Sequence, residues 1–570
     1  MNVRKVARAT GSIQVSIVCL AAVLTAPIAE AAQHHNQHDE RALAEDPRLA
    51  PGQLAPVLEG LGENHYPITT SSERAQLFFD QGLKLTYGFN HQEALRSFKE
   101  AARLDPDSAM AYWGWALVLG PNLNLPMQSE VVEQAYEAIQ MAVARKDKVS
   151  AKEGDLIDAL AERYSDDPEA DRAALDAAYA QAMRGIHDVY PDDLDAATLY
   201  AASLMNLSPW NYWSRDGKPT GATEEILTVL ESVLERDPQH EGALHYYIHA
   251  VESVDAKRGE AAADALQPLV PGIGHMMHMP SHIYMQVGRY ADAFESNRLA
   301  AIADEGYITQ CRAQGIYPLN YYPHNVHFLA WAAILEGKSE AALEASRKVA
   351  ANVPEDHHGN VWGLYQTFLS MPLYTMVRFG LWDEILAEPK PSADLRYLSG
   401  ISHYARGMAY THTDRLKPAR RELAALEKLA QAADSADVLI GFSNAARLLS
   451  IAQHVLAGEL AAQRGRHEEA LGLLSRAVRL EDSMLYNEPP DWYYPVRHTL
   501  GAVLLEAGAP VEAEVVYWQD LAQQEENGYA LYGLAQSLRA QGRNDEAAQI
   551  EERYRKAWTA ADVELSSSRF

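Results

Sequence analysis

The chain has 570 residues, with 49 Lys and Arg against 78 Asp and Glu and a formal charge of −29. That balance excludes broad electrostatic attraction to nucleic acid or to an anionic membrane surface. A composition of 48% hydrophobic and 22% charged residues is globular, yet the length exceeds one core of about 100–200 residues, so several domains or a repeat array are required.

In chain order, Arg4, Lys5 and Arg8 precede an apolar stretch from Ile13 to Leu24, and Ala29-Glu30-Ala31 offers a small-x-small cleavage site. This predicts a secretory signal peptide over 1–31. Val18, preceding Cys19, is bulkier than a lipoprotein signal wants, so cleavage after Ala31 is expected rather than lipid anchoring. The mature chain is expected to be periplasmic or secreted, with no transmembrane segment. Without Cys19, Cys311 is the sole cysteine, which excludes an intramolecular disulfide framework and thiolate metal clusters. Any metal must be held by His, carboxylate or Met.

Residues 32–70 read as a flexible lead-in carrying His34, His35 and His38. From Ser71 onward, apolar residues recur at three- and four-residue spacing, which predicts an all-α protein. The window 77–106 has the grammar of a helix–turn–helix repeat. Gly82 sits where two helices approach closely, Ala94, Phe98 and Ala101 line one face of the second helix, and Pro106 ends it. Weaker copies comprise Ser281, Tyr284, Gly288, Tyr290, Ala293 and Ala300, and later Gly407, Tyr410 and Ala419. Two more lie near the end, at Gly501, Leu504, Gly508 and Ala513, and at Ala535, Leu538, Gly542 and Ala547.

These windows resemble tetratricopeptide (TPR) repeats over most of residues 71–558. The resemblance implies an all-α, TPR-like right-handed α-solenoid of stacked helix pairs with a concave binding groove. The expected division is N-terminal repeats over 71–240, a His-rich centre over 241–335 and C-terminal repeats over 336–570. The chain also resembles a group of exported bacterial TPR proteins, through Phe89-Asn90-His91, Leu119-Gly120-Pro121-Asn122, His245-Tyr246-Tyr247-Ile248-His249-Ala250-Val251-Glu252 and His278-Met279-Pro280-Ser281-His282-Ile283-Tyr284. That resemblance implies no activity.

Of the 21 histidines, seven fall within residues 245–327 in three groups. His245, His249 and Glu252 stand at i, i+4 and i+7 and share one helix face. Glu252 follows both histidines, unlike the zinc-protease pattern in which the Glu lies between them. His275, His278 and His282 surround Pro280; that residue suits a first helical turn, so His275 and His278 are expected on the approach and His282 just inside. His324 and His327 follow Pro323 at i, i+3. First helices line a TPR groove, so the three groups are expected to converge. His245, His249, His275, His278, His282, His324 and His327 are the candidate ligands of a transition metal.

Met276, Met277 and Met279 interleave with the histidines; thioether beside imidazole favours copper, with zinc and iron as the other candidates, although Met at this spacing also serves as core filler. Full convergence permits a two-metal site of the coupled-copper kind, partial convergence a mononuclear centre. Glu252 is the candidate general base or ligand-orienting group, and Tyr247 and Tyr322 are candidate proton donors or pocket walls, as is Tyr321. Arg406 and Arg497 could receive a carboxylate. His91 and Asn122 could reach the groove, Pro209-Trp210-Asn211-Tyr212-Trp213 and Pro490-Asp491-Trp492-Tyr493-Tyr494-Pro495 could wall it, and His357-His358 are expected in an exposed turn.

No Walker loop, nucleophile elbow, dinucleotide fingerprint or haem-attachment motif is present. Two functional readings stand. One is a metal-dependent enzyme or metal-handling protein, with a copper oxidoreductase ahead of a metal-dependent hydrolase. The alternative is a metal-free periplasmic TPR scaffold that binds a peptide or protein partner in its concave groove. A small molecule or peptide in the concave groove and an envelope protein are the expected partners.

Overall fold

The structure is a computed structural model that describes residues 49–167, 169–313, 317–354, 363–432 and 438–570. The expected signal peptide, His34, His35, His38 and His357-His358 lie outside the described residues. The chain is all-α, a TPR-like solenoid of helix pairs stacked on their sequence neighbours. Among the described residues the β-structure is confined to isolated bridges and a two-residue hairpin pairing Leu439–Ile440 with Ser443–Asn444. No helix among them is long and apolar enough to cross a membrane.

Local chemistry explains where helices begin. The Ser72 hydroxyl accepts from the Ala75 N–H ahead of Glu73–Tyr87, and Asp193 accepts from the Ala196 N–H ahead of Leu194–Met205. Ser150 and Glu153 form a reciprocal capping box at the start of Ala151–Ala161. The pairs are held by large side chains set against glycines. A Cβ on Gly82 would lie 2.7 Å from the Phe98 ring, and one on Gly114 would lie 2.3 Å from it. Phe98, on His91–Leu104, is thus clasped between Glu73–Tyr87 and Ala109–Leu119. A methyl at either glycine would force these helices apart.

Four elements matter for function. Glu241–Val251 carries His245 and His249, and packs on Glu73–Tyr87. Gly274–His278 and Pro280–Gln286 form a helical run interrupted at Met279-Pro280, where proline supplies no N–H to the preceding turn. His275 and His278 are therefore helical rather than on an irregular approach. Tyr322–Leu335 opens with Pro323 after a π-helical turn over Tyr317–Tyr321 and packs on Gly274–His278.

Candidate metal centre

The six imidazoles of His245, His249, His275, His278, His282 and His324 come together in two triads. His245, His249 and His275 form the first, and His278, His282 and His324 the second. In each, the candidate ligand atoms all lie within 4.8 Å of one another. All six are buried except His324, which is partly exposed. The middle group is divided: His275 lies against the i, i+4 pair on Glu241–Val251, whereas His278, on the same short helix, and His282, beyond Pro280, face His324.

Hydrogen bonds at Nδ1 decide what Nε2 offers on His245, His278 and His282, while neither ring nitrogen of His275 has a hydrogen-bond partner among the described residues. His245 Nδ1 lies 2.6 Å from the Tyr87 carbonyl, which can only accept, so Nδ1 carries the proton and Nε2 presents a lone pair. His278 Nδ1 lies 2.7 Å from Asn297 Oδ1. Because Asn297 Nδ2 donates to the Ala293 carbonyl at 2.7 Å, the amide orientation is settled and His278 Nδ1 must donate. His282 Nδ1 lies 2.6 Å from Glu488 Oε2, and Gln286 Nε2 donates to the other oxygen of that carboxylate. These are the outer partners that orient metal-bound imidazoles. The Nε2 atoms of His245, His249 and His275 are buried without any hydrogen-bond partner. In the second triad His278 Nε2 and His282 Nε2 are 2.9 Å apart. Two lone pairs repel at that distance, so a proton or a cation must lie between them.

Burial, reinforced by the neighbouring histidines, holds His245, His249, His275, His278 and His324 well below the ordinary imidazole range. The neutral, ligand-competent form is therefore favoured. Burial also lowers His282, but Glu252 and Glu488 outweigh it and hold that group above its ordinary value.

Glu252 lies between the triads. Its Oε1 is 3.5 Å from His249 Nδ1 and its Oε2 is 3.3 Å from His282 Nδ1, and burial pushes its carboxyl up to about 7. Glu488 is a site residue that the spacing arguments missed, because it arrives from a loop more than 200 positions away in sequence. Asp304 is another. Its Oδ1 accepts from the Tyr317 hydroxyl at 2.7 Å and its Oδ2 from Asn325 at 2.7 Å, while the Tyr317 hydroxyl accepts from the His275 N–H at 3.3 Å. A Cβ on Gly274 would lie 1.9 Å from Asp304 Oδ1, so only glycine fits beside this carboxylate.

Aromatic rings close the site. The Phe89 ring lies 4.7 Å from His245 and 5.3 Å from His275, and Phe328 lies 4.6 Å from both His278 and His282. Trp210 is 43% exposed and sets its edge on His249 at 5.2 Å. Phe89 and Trp210 both have left-handed backbone, with φ of 58° and 60°, a cost that large side chains carry where the surroundings impose it. The loop bearing Trp210 meets the loop bearing Glu488 where Arg215 donates to the Ser483 carbonyl at 3.3 Å.

Other candidates are placed elsewhere. His327 stacks on Tyr493 at 5.3 Å with 3° between the planes, outside both triads. The i, i+4 partner of His324 that reaches the second triad is Phe328. The Tyr247 hydroxyl donates to Glu231 at 2.8 Å and that of Tyr322 to Glu305 at 3.0 Å, both away from the imidazoles. Tyr321 does border the site, 5.0 Å from His275, as does Tyr246, stacked on His245 at 5.4 Å. Met276 and Met279 are core residues. Arg497 is already engaged by Asp482 at 2.7 and 2.9 Å, and Arg406 by the Tyr410 hydroxyl at 3.2 Å and the Leu386 carbonyl. His91 and Asn122 contact each other at 3.3 Å, on the far side of Phe89. Trp492, Tyr493 and Tyr494 are buried among helices.

No family model matches this chain, and no curated protein is similar to it by sequence. Among solved structures it is similar to the human IFIT1 dimer with m7Gppp-AAAA, with 12% identity and a TM-score of 0.29 over 87% of this chain and 92% of that one. It is also similar to the yeast Tom70, with 12% identity and a TM-score of 0.27 over 85% and 91% of the two chains. The APC/C hetero-tetramer Cut9-Hcn1 gives 12% identity and a TM-score of 0.30 over 84% and 76%. Scores this low carry no argument about ligand or activity.

Proposed function

We propose that this chain is an exported TPR-like protein, periplasmic or secreted, whose histidine triads bind a transition metal, with copper favoured ahead of zinc and iron. The observation that supports this most directly is the buried, unpartnered Nε2 set of His245, His249 and His275. A buried polar atom without a partner costs about 1–3 kcal/mol, so three in one triad form an unfavourable arrangement that a shared cation reverses. The fit is close in dimension. Nitrogens bound tetrahedrally at about 2.0 Å stand about 3.3 Å apart, so the first triad needs at most about 1.5 Å of closure.

Three neutral imidazoles leave coordination positions for a small ligand, as in catalytic rather than structural sites. Copper there would supply one-electron and dioxygen chemistry. The surrounding residues orient and exclude. Tyr87, Asn297 and Glu488 fix the tautomers through Nδ1, Glu252 offers a carboxyl to one histidine of each triad, and Phe89 and Phe328 keep bulk water from the imidazoles. An oxidoreductase stands ahead of a hydrolase only through the preference for copper, since three imidazoles also hold catalytic zinc. A metal-free scaffold would leave the unpartnered nitrogens without a reason.

Metal content by plasma mass spectrometry tests the proposal on untagged, exported protein beside the folded double variant His249→Ala, His278→Ala. Near-integral metal that disappears in the variant is expected. Absence of bound metal from the wild type, even after reconstitution with copper, zinc and iron, would overturn it.

A further inference from the structure

Resting on that reading, we infer that the two triads are halves of one dinuclear centre, with one ion in each triad and a small ligand shared between them. Four observations carry the inference. First, the triads meet: their nearest rings are no farther apart than rings within one triad. His249 and His282 rings are 6.1 Å apart and His275 and His278 rings 5.8 Å, whereas pairs within a triad range from 4.7 Å for His278 and His282 to 6.1 Å for His249 and His275. The imidazoles form one continuous cluster.

Second, the halves repeat one design. Each takes two histidines at i, i+4 and a third from a later helix, and each sets one phenylalanine against its imidazoles. Phe89 touches His245, His249 and His275, and Phe328 touches His278, His282 and His324. Each phenyl contacts only its own triad, so the apolar walls stand at opposite ends. The open coordination positions then face each other across the middle.

Third, Glu252 contacts His249 of one half and His282 of the other, and among the described residues no other carboxylate does so. Fourth, Asp304 ties together the third ligands. Through Tyr317 it holds the backbone of His275, and through Asn325 it holds the helix next to His324. The halves cannot move independently. The shared ligand is one of one or two donor atoms, such as hydroxide or dioxygen, beside the Glu252 carboxyl that already reaches both halves.

The experiment uses the untagged full-length protein, stripped of metal and titrated with Cu(II), with bound copper counted per chain and its electron paramagnetic resonance recorded. Two coppers per chain with most of the signal lost through coupling are expected. His249→Ala and the partly exposed His324→Ala should each bind about one copper and each regain a mononuclear signal, so copper falls while signal rises. One copper per wild-type chain, or two with the full signal of isolated ions, overturns the dinuclear inference and leaves the metal-protein reading standing. No bound copper, zinc or iron overturns both. The wild-type count and spectrum decide the matter even if a variant does not fold.

Discussion

Asn297 offers a sharp test of the site because it touches a candidate ligand without being one. It is fully buried on Tyr290–Cys311, donates through Nδ2 to the Ala293 carbonyl, and accepts the His278 Nδ1 proton at 2.7 Å. Leucine at this position matches the volume but accepts nothing. The buried Nδ1–H then loses a bond whose absence costs about 1–3 kcal/mol, and His278 can relieve that cost by moving its proton to Nε2, the atom meant for the metal. Loss of such an orienting partner weakens metal binding about 10–100-fold, or about 1.4–2.7 kcal/mol. Aspartate keeps an acceptor and should stay within about threefold of wild type. Competition against a chelator of known affinity measures this, with folding checked by circular dichroism. Asn297→Leu is expected to weaken the second triad's ion and leave the first triad's unchanged. An Asn297→Leu protein that folds and binds both ions as tightly as wild type would refute the assigned tautomer, and with it the role of Nε2.

Two further outcomes follow from the same geometry. Gly82→Ala places a methyl 2.7 Å from the Phe98 ring in the first helix pair and should destabilise the chain by about 1–3 kcal/mol, read as a lower urea midpoint at unchanged slope. His327, held down to about 3 by burial, governs part of the acid sensitivity. Its folded value lies below the unfolded value of about 6.5, so its stabilisation is complete above pH 6.5 and is lost as the pH falls towards 3. Each pH unit costs up to about 1.4 kcal/mol. His327→Phe should therefore lose up to about 2 kcal/mol less stability than wild type between pH 6.5 and pH 5, measured by denaturant unfolding at each pH.

The sequence by itself determined the class of fold, because helical periodicity and the glycine-against-aromatic grammar are local. Gly82 and Phe98 are 16 positions apart, and their contact follows from the geometry of two adjacent helices. It also determined which imidazoles deserved attention: the i, i+4 spacing of His245 and His249 is metal-ligand geometry on any helix. Only the tertiary structure decided how they are shared out. His275 and His278 share the short helix Gly274–His278, yet His275 joins one triad and His278 with His282 the other, and that division is set by which neighbours the helix packs between. Likewise, i+3 and i+4 lie on either side of His324, so whether His327 or Phe328 faces the site depends on how Tyr322–Leu335 is rotated in its stack. Glu488 and Asp304 carry no sequence signal at all. They reach the histidines through a distant loop and a neighbouring helix face, and only packing makes them neighbours.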